Sequence, residues 1–176
     1  PRGNDPLKLA VNYYSFALSS SRLAKKLNES FDVVIAYQTS PVMMVSPGVA
    51  YAKRHRVPLI IYCCDLWPES MKVMLGNRFK LVFVHYAKVS KRLYATADAI
   101  AVQSPSFIDY LSSKHAIARD RIRFIPQFAT GSSDYVEPRS HSGINFMISG
   151  NIGRAQDMPV VLQAIAKMRT VDADFT

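Results

Sequence analysis

Asp65-Leu66-Trp67-Pro68-Glu69-Ser70 follows directly on an unbroken apolar run from Val57 to Cys64. A carboxylate placed just past the end of a buried strand can orient a substrate hydroxyl or take its proton. Two further polar groups stand in comparable positions: Gln38-Thr39-Ser40 after the run from Asp32 to Tyr37, and Ser104-Pro105-Ser106 after Ala99 to Gln103. The competing reading is that Asp65 or Glu69 merely caps the next helix, a task to which carboxylates are equally suited. A second kind of chemistry is offered by Gly150-Asn151-Ile152-Gly153-Arg154 and the following Ala155-Gln156. Backbone N–H groups and the positive end of a helix can hold a phosphate there, and Arg154 adds a permanent charge. Glycines also suit an ordinary strand-to-helix turn, with Arg154 then facing solvent. The pattern is not G-x-G-x-x-G and no acidic ribose ligand can be placed, which argues against a dinucleotide site.

Other residue types carry less. His55, His85, His115 and His141 are far apart and lack metal-ligand spacing, so surface or capping roles are expected for them and no metal site. No Ser-His-Asp arrangement can be assembled. Cys63 and Cys64 are adjacent and point to opposite faces of a strand. They make neither an ordinary disulfide nor a metal site and read as buried structural thiols in a reducing cytosol.

These residues need elements to position them. Apolar positions at helical spacing (Leu9, Tyr13, Phe16, Ala17, Leu23, Leu27) predict a helix over 7–28. Asp32 to Tyr37, Val57 to Cys64, Ala99 to Gln103 and Arg121 to Pro126 read as buried strands. Helices are predicted from the Ser/Pro loop to about His55, from about Asn77 to Thr96 with a Val82/Tyr86/Val89/Leu93 stripe, and from Ser106 to about Lys114. Alternating strands and helices predict an α/β fold, a parallel sheet wrapped on both faces by helices. Gln127 to Gly143 loses its apolar period and reads as a linker. The expected division is 1–126, linker 127–143, and 144–176 as the start of a second α/β domain: strand Ile144–Ser149, helix Asp157–Met168 and a further strand from Ala173. The second domain is too short to close its own core, and the first opens on a helix, so the chain reads as incomplete at both ends.

The chain has 176 residues, 49% hydrophobic and 20% charged, which predicts a folded protein. Residues 1–143 carry 19 Lys and Arg against 10 Asp and Glu, whereas residues 144–176 are balanced. The cations are spread over many elements, which weakens a nucleic-acid footprint and suits an anionic membrane or a phosphorylated ligand. Lys80, Lys88, Lys91 and Arg92 fall on one side of a predicted helix and form either a lipid-facing or a solvated surface. Val33 to Ala52 holds no charge over 20 residues, but Gln38, Pro41, Pro47 and Gly48 interrupt it, so strand, loop and helix are expected rather than a membrane span. The N-terminus is polar, without a signal-peptide pattern, and the protein is expected to be cytoplasmic, with a peripheral position on the inner face of the plasma membrane as an option.

Two segments together resemble the retaining, GT-B-fold glycosyltransferases of family 4, in particular those that make bacterial capsule, O-antigen and exopolysaccharide. The first runs from Asp32-Val-Val-Ile through Thr39-Ser40-Pro41, then Leu59-Ile-Ile-Tyr-Cys-Cys-Asp65-Leu66-Trp67-Pro68-Glu69-Ser70, into Ala97-Asp98-Ala99-Ile100 and Val102-Gln103-Ser104. The second is Ser149-Gly150-Asn151-Ile152-Gly153-Arg154-Ala155-Gln156 with the helix through Leu162 and Ala164. The resemblance covers nearly all of residues 30–170 and implies two Rossmann-like domains facing a cleft. The first receives a saccharide or lipid-linked acceptor, with Asp65 catalytic and Thr39, Ser40, Trp67, Glu69 and Ser104 on the acceptor side. The second binds a nucleotide-sugar, whose diphosphate meets Gly150, Asn151, Gly153, Arg154 and Gln156, with no metal or other cofactor. The family pattern has a Gly-Arg pair and a Lys where this chain has Asn151 and Gln156, and Arg154 is the cation that can replace them. The family's Glu-x7-Glu would lie beyond Thr176 and its glycine-rich first loop before Pro1, so the chain by itself is expected to be inactive. A nicotinamide-dependent oxidoreductase finds no glycine-rich turn with a following acidic residue here. A non-catalytic nucleotide- or sugar-binding module stays open as the alternative, because a fold does not fix a chemistry.

Overall fold

The computed structural model describes residues 6–75, 79–127, 144–148, 150, 156–168 and 173–175. The chain divides into two compact units, Pro1–Phe128 and Ala129–Thr176.

The first unit is built on four strands, β1 (Val34–Gln38), β2 (Leu59–Cys63), β3 (Ala99–Val102) and β4 (Ile122–Phe124), all parallel and in the spatial order β1-β2-β3-β4. The register pairs Val34 with Leu59, Cys63 with Val102, and Val102 with Phe124, so the strands finish side by side. The helices are α1 (Pro6–Ala24), α2 (Ser46–His55), α3 (Glu69–Leu75), α4 (Lys80–Ala95) and α5 (Pro105–His115). A 3-10 turn, Val42–Val45, leads into α2, so the uncharged stretch from Val33 to Ala52 does form strand, turn and helix. Pro47 and Pro105 sit in the first turns of α2 and α5, where an N–H is dispensable. Arg56 and Ala116 end those helices in the left-handed conformation.

The core occupies one face of the sheet. Leu59, Ile61, Cys63, Ile100, Val102 and Ile122 pack there against Trp67, Tyr86, Tyr94 and Leu111 from the helical layer. A strand order that follows the chain, joined by right-handed crossovers, keeps every connecting helix on the same side. Among the described residues the expected wrapping on both faces is therefore met on one, and Ile35 on the other face is 67% exposed. Gly48 lets α2 lie close on the sheet, because a Cβ there would come within 3.3 Å of Val34 Cγ1 and 3.4 Å of Ala36 Cβ.

Three helix readings are corrected. The face that α1 packs against the core holds Tyr13, Ala17 and Ala24, while Phe16 and Leu23 are exposed, because small residues let α1 approach α2. The buried stripe of α4 is Phe83, Tyr86, Ser90 and Tyr94, with Val89 and Leu93 at its margin and Val82 exposed. A short helix, α3, begins at Glu69, inside the polar segment and ahead of the helix expected from about Asn77.

In the second unit β5 (Ile144–Phe146) pairs in parallel with β6 (Ala173–Phe175), and α6 (Met158–Lys167) lies between them in sequence. The linker expected over 127–143 falls, except for Gln127, outside the described residues.

Candidate functional site

The carboxyl ends of β1, β2 and β3 lie side by side, and side chains bolt the loops leaving them to one another. Gln38, the last residue of β1, is fully buried. Its Nε2 donates to the Asp65 carbonyl at 2.9 Å, and its Oε1 accepts from the Tyr94 hydroxyl of α4 at 2.8 Å. Gln103 Nε2, just past β3, donates to the Cys64 carbonyl at 2.5 Å. Trp67 Nε1 donates to Ser40 Oγ at 2.7 Å. The Ser40–Pro41 and Trp67–Pro68 peptide bonds are both cis. The three polar groups read from the sequence are thus one constellation, as expected at the carboxyl edge of an open α/β sheet.

Within it, Asp65 is partly exposed, and its carboxylate has no hydrogen-bond or ion-pair partner among the described residues; only its backbone carbonyl is held. It caps no helix. Glu69 is differently occupied: Lys72 Nζ lies 2.9 Å from its Oε1 and 2.7 Å from its Oε2, and Tyr110 Oη donates at 2.8 Å. Partial burial pushes the Glu69 carboxyl up, but the Lys72 and Tyr110 hydrogen bonds outweigh it and hold it below its ordinary value. Thr39 Oγ1 donates to Met44 Sδ at 3.1 Å. Ser104 stands at the N-cap of α5, its hydroxyl 2.9 Å from Ser106 Oγ rather than on the helix backbone.

Trp67 does not fit the acceptor contact expected of it. Its indole is 3% exposed and meets Tyr13 and Tyr86 edge-on, with centroids 6.0 and 5.4 Å away, so it has no open face on which a sugar could stack. Its part is to anchor the Ser40 loop to the β2 loop.

Beneath the loops lies a buried polar layer. Tyr94 is fully buried, and burial raises its hydroxyl well above its ordinary value, so it stays protonated and donates to Gln38. Burial likewise pushes the Cys63 thiol up to about 12, with its sulfur 3.5 Å from Tyr94 Oη. Cys63 is the inert thiol the sequence suggested; Cys64 is only partly buried. His115 corrects the expectation of a surface or capping histidine. It is 3% exposed, with Tyr94 and Tyr110 each at 5.4 Å between ring centroids. Burial pushes the ring below its ordinary value, against the opposing pull of the Trp67 backbone, so it is neutral at pH 7. Sequence reasoning did not find Tyr94 or Tyr110 and misplaced His115. It did quote Gln38 and Gln103, and the missed signal was that two buried strands run out on the same long amide.

Of the residues assigned to a diphosphate, Asn151, Gly153 and Arg154 lie outside the described residues. Gly150 is exposed, with φ 143, a conformation that glycine alone adopts without strain. Gln156 is exposed and stands two residues before α6. No group of three His, Cys, Asp or Glu suited to a metal ion occurs among the described residues, and no helix among them is long and apolar enough to cross a membrane.

The family model of glycosyltransferase family 4 matches residues 3–129, which includes every strand end of the constellation. The chain belongs to glycosyltransferase family 4. Comparison with the curated proteins finds no match. As a family 4 glycosyltransferase the protein acts with a sugar donor and an acceptor. Its four-stranded parallel sheet flanked by helices is the Rossmann-like arrangement that the resemblance implied.

Proposed function

We propose that residues 1–126 form the acceptor-side domain of a retaining glycosyltransferase, and that residues 144–176 open its nucleotide-sugar domain. The reaction moves a hexosyl group from a nucleotide-sugar to a saccharide or lipid-linked acceptor, in bacterial surface polysaccharide synthesis. The observation that carries this reading is the Asp65 carboxylate, left unengaged on a loop whose backbone Gln38 fixes from below. A base held this way can orient an acceptor hydroxyl and take its proton as the new bond to C1 forms. Thr39, Ser40, Glu69 and Ser104 border it as polar contacts for further acceptor hydroxyls. On the donor side, the bond from C1 to the diphosphate oxygen breaks and negative charge grows on the leaving group. Arg154, the amides of Gly150 to Gln156 and the N-terminus of α6 would meet that charge, so the reading calls for no metal ion.

The test is transfer from a panel of nucleotide-sugars to a lipid-linked saccharide by the active enzyme that contains this chain, with product anomers assigned by NMR. Retained configuration and an unchanged rate in chelator are expected. Tight donor binding without any transfer would instead favour the non-catalytic module.

The membrane side of the proposal has its own support. Lys80, Lys88, Lys91 and Arg92 are exposed on α4, away from its buried stripe, and Leu81 on the same side is 85% exposed. Cations interleaved with free apolar side chains suit an anionic bilayer surface. Flotation with anionic vesicles should occur in low salt and reverse in high salt. Equal behaviour with neutral vesicles removes the membrane from the proposal.

A further inference from the structure

A cleft of about 570 Å³ runs along α2 between α1 and α4. Its floor is apolar, from Val49 and Ala50 of α2 and Leu93 of α4, and three cations line it: Lys25, Lys53 and Arg54. No carboxylate lines it. Among the described residues the ion pairs are Lys72–Glu69 and Arg119–Asp109, so none of the three cations is neutralised by a neighbour. Lys25 follows the last turn of α1, and Lys53 and Arg54 stand in the last turn of α2. Helix dipoles favour a cation at each of those ends. They do not explain why three cations from two helices line one cleft beside Val49, Ala50 and Leu93 with no carboxylate among its lining residues.

The cleft is also lined by Ser46, the first residue of α2, but its three cations lie at the other end, away from the transferase constellation. Helices that join parallel strands run back against them. The ends of α2 and α4 therefore lie toward the amino ends of the strands, opposite Asp65. The cleft's size falls in the range of small-molecule sites.

We propose that this cleft is a second binding site, for a ligand carrying a phosphoryl group. The three cations take the phosphoryl oxygens, and the floor of Val49, Ala50 and Leu93 takes an apolar portion next to it. Such a group can belong to a lipid headgroup or to a water-soluble phosphate, and the test separates the two.

Calorimetry on the active enzyme that contains this chain would compare inorganic phosphate, dihexanoyl phosphatidic acid below its micelle concentration, and a neutral hexyl glycoside. Phosphatidic acid should bind and the glycoside should not. Inorganic phosphate binding as tightly as phosphatidic acid assigns the site to a soluble phosphate; much weaker binding assigns it to a lipid headgroup. Lys53→Gln/Arg54→Gln should weaken the phosphatidic acid by about tenfold or more for each cation removed, the scale of a charge-assisted hydrogen bond. Lys25 is exposed beyond the end of its helix, so Lys25→Gln carries the test if the double variant does not fold, with about a tenfold loss expected. The proposal is overturned if neither phosphate ligand binds, if the glycoside binds equally well, or if the variants bind like the parent.

Discussion

Asp65→Asn is expected to lower turnover by about two orders of magnitude or more, the usual effect of removing a positioned acid–base group, while leaving the melting temperature unchanged. The structure gives the reason for expecting the two to separate. What ties Asp65 into the fold is its backbone carbonyl, which accepts from Gln38 Nε2, and an amide side chain leaves that bond in place. The Asp65 carboxylate itself makes no hydrogen bond or ion pair among the described residues, so its replacement removes neither from the folded state there. Gln38→Leu is the useful contrast. It strands the Tyr94 hydroxyl without its acceptor in a fully buried position, at a cost of roughly 1–3 kcal/mol in stability. The measurement is steady-state kinetics beside thermal unfolding for both variants. Wild-type turnover in Asp65→Asn would leave the base elsewhere and reduce the constellation to a structural one.

Arg154→Ala should remove roughly 2–4 kcal/mol of transition-state stabilisation, the range found for one preorganised donor facing a developing charge. If the loop from Gly150 to Gln156 cradles the donor diphosphate, Arg154 is its one permanent cation. Negative charge on the diphosphate is greatest as the C1–O bond loosens, so kcat should suffer more than donor affinity. Arg154→Lys should recover part of the loss, because an ammonium cannot present the planar two-pronged contact of a guanidinium. Kinetics with the natural donor, and inhibition by the corresponding nucleoside diphosphate, check both statements. A variant with parental turnover and parental inhibition would falsify the diphosphate role of this loop and return Arg154 to an ordinary turn.

Much of this protein is legible in local sequence. Runs of β-branched and apolar residues fix the four strands to within a few residues, because a strand buried in a parallel sheet has to be apolar along its length. The order of polar punctuation after those runs marks where a site can form, and the Asp-Leu-Trp-Pro-Glu-Ser stretch identifies the family that the family model also reports. Which face of each helix is buried is less legible. On α4, Val82 and Phe83 are neighbours of similar hydrophobicity, and only the tertiary packing of α4, with Lys72 of α3 over the Phe83 ring, decides that Phe83 goes in and Val82 stays out.

The strand ends show the same division most clearly. The sequence places Trp67, Glu69 and Asp65 together and says nothing of their different fates. Tertiary packing buries the indole against Tyr13 and Tyr86, ties Glu69 to Lys72 and Tyr110, and leaves Asp65 open. Local pattern sets which residues can be apolar or charged. Partners 27 to 56 positions away in the chain, such as Gln38 to Asp65 and Tyr94 to Gln38, set which of them is satisfied and which is left for a substrate. A hydrogen bond acts over about 3 Å of space regardless of the length of chain between its partners, so that choice is made only when the strands come together.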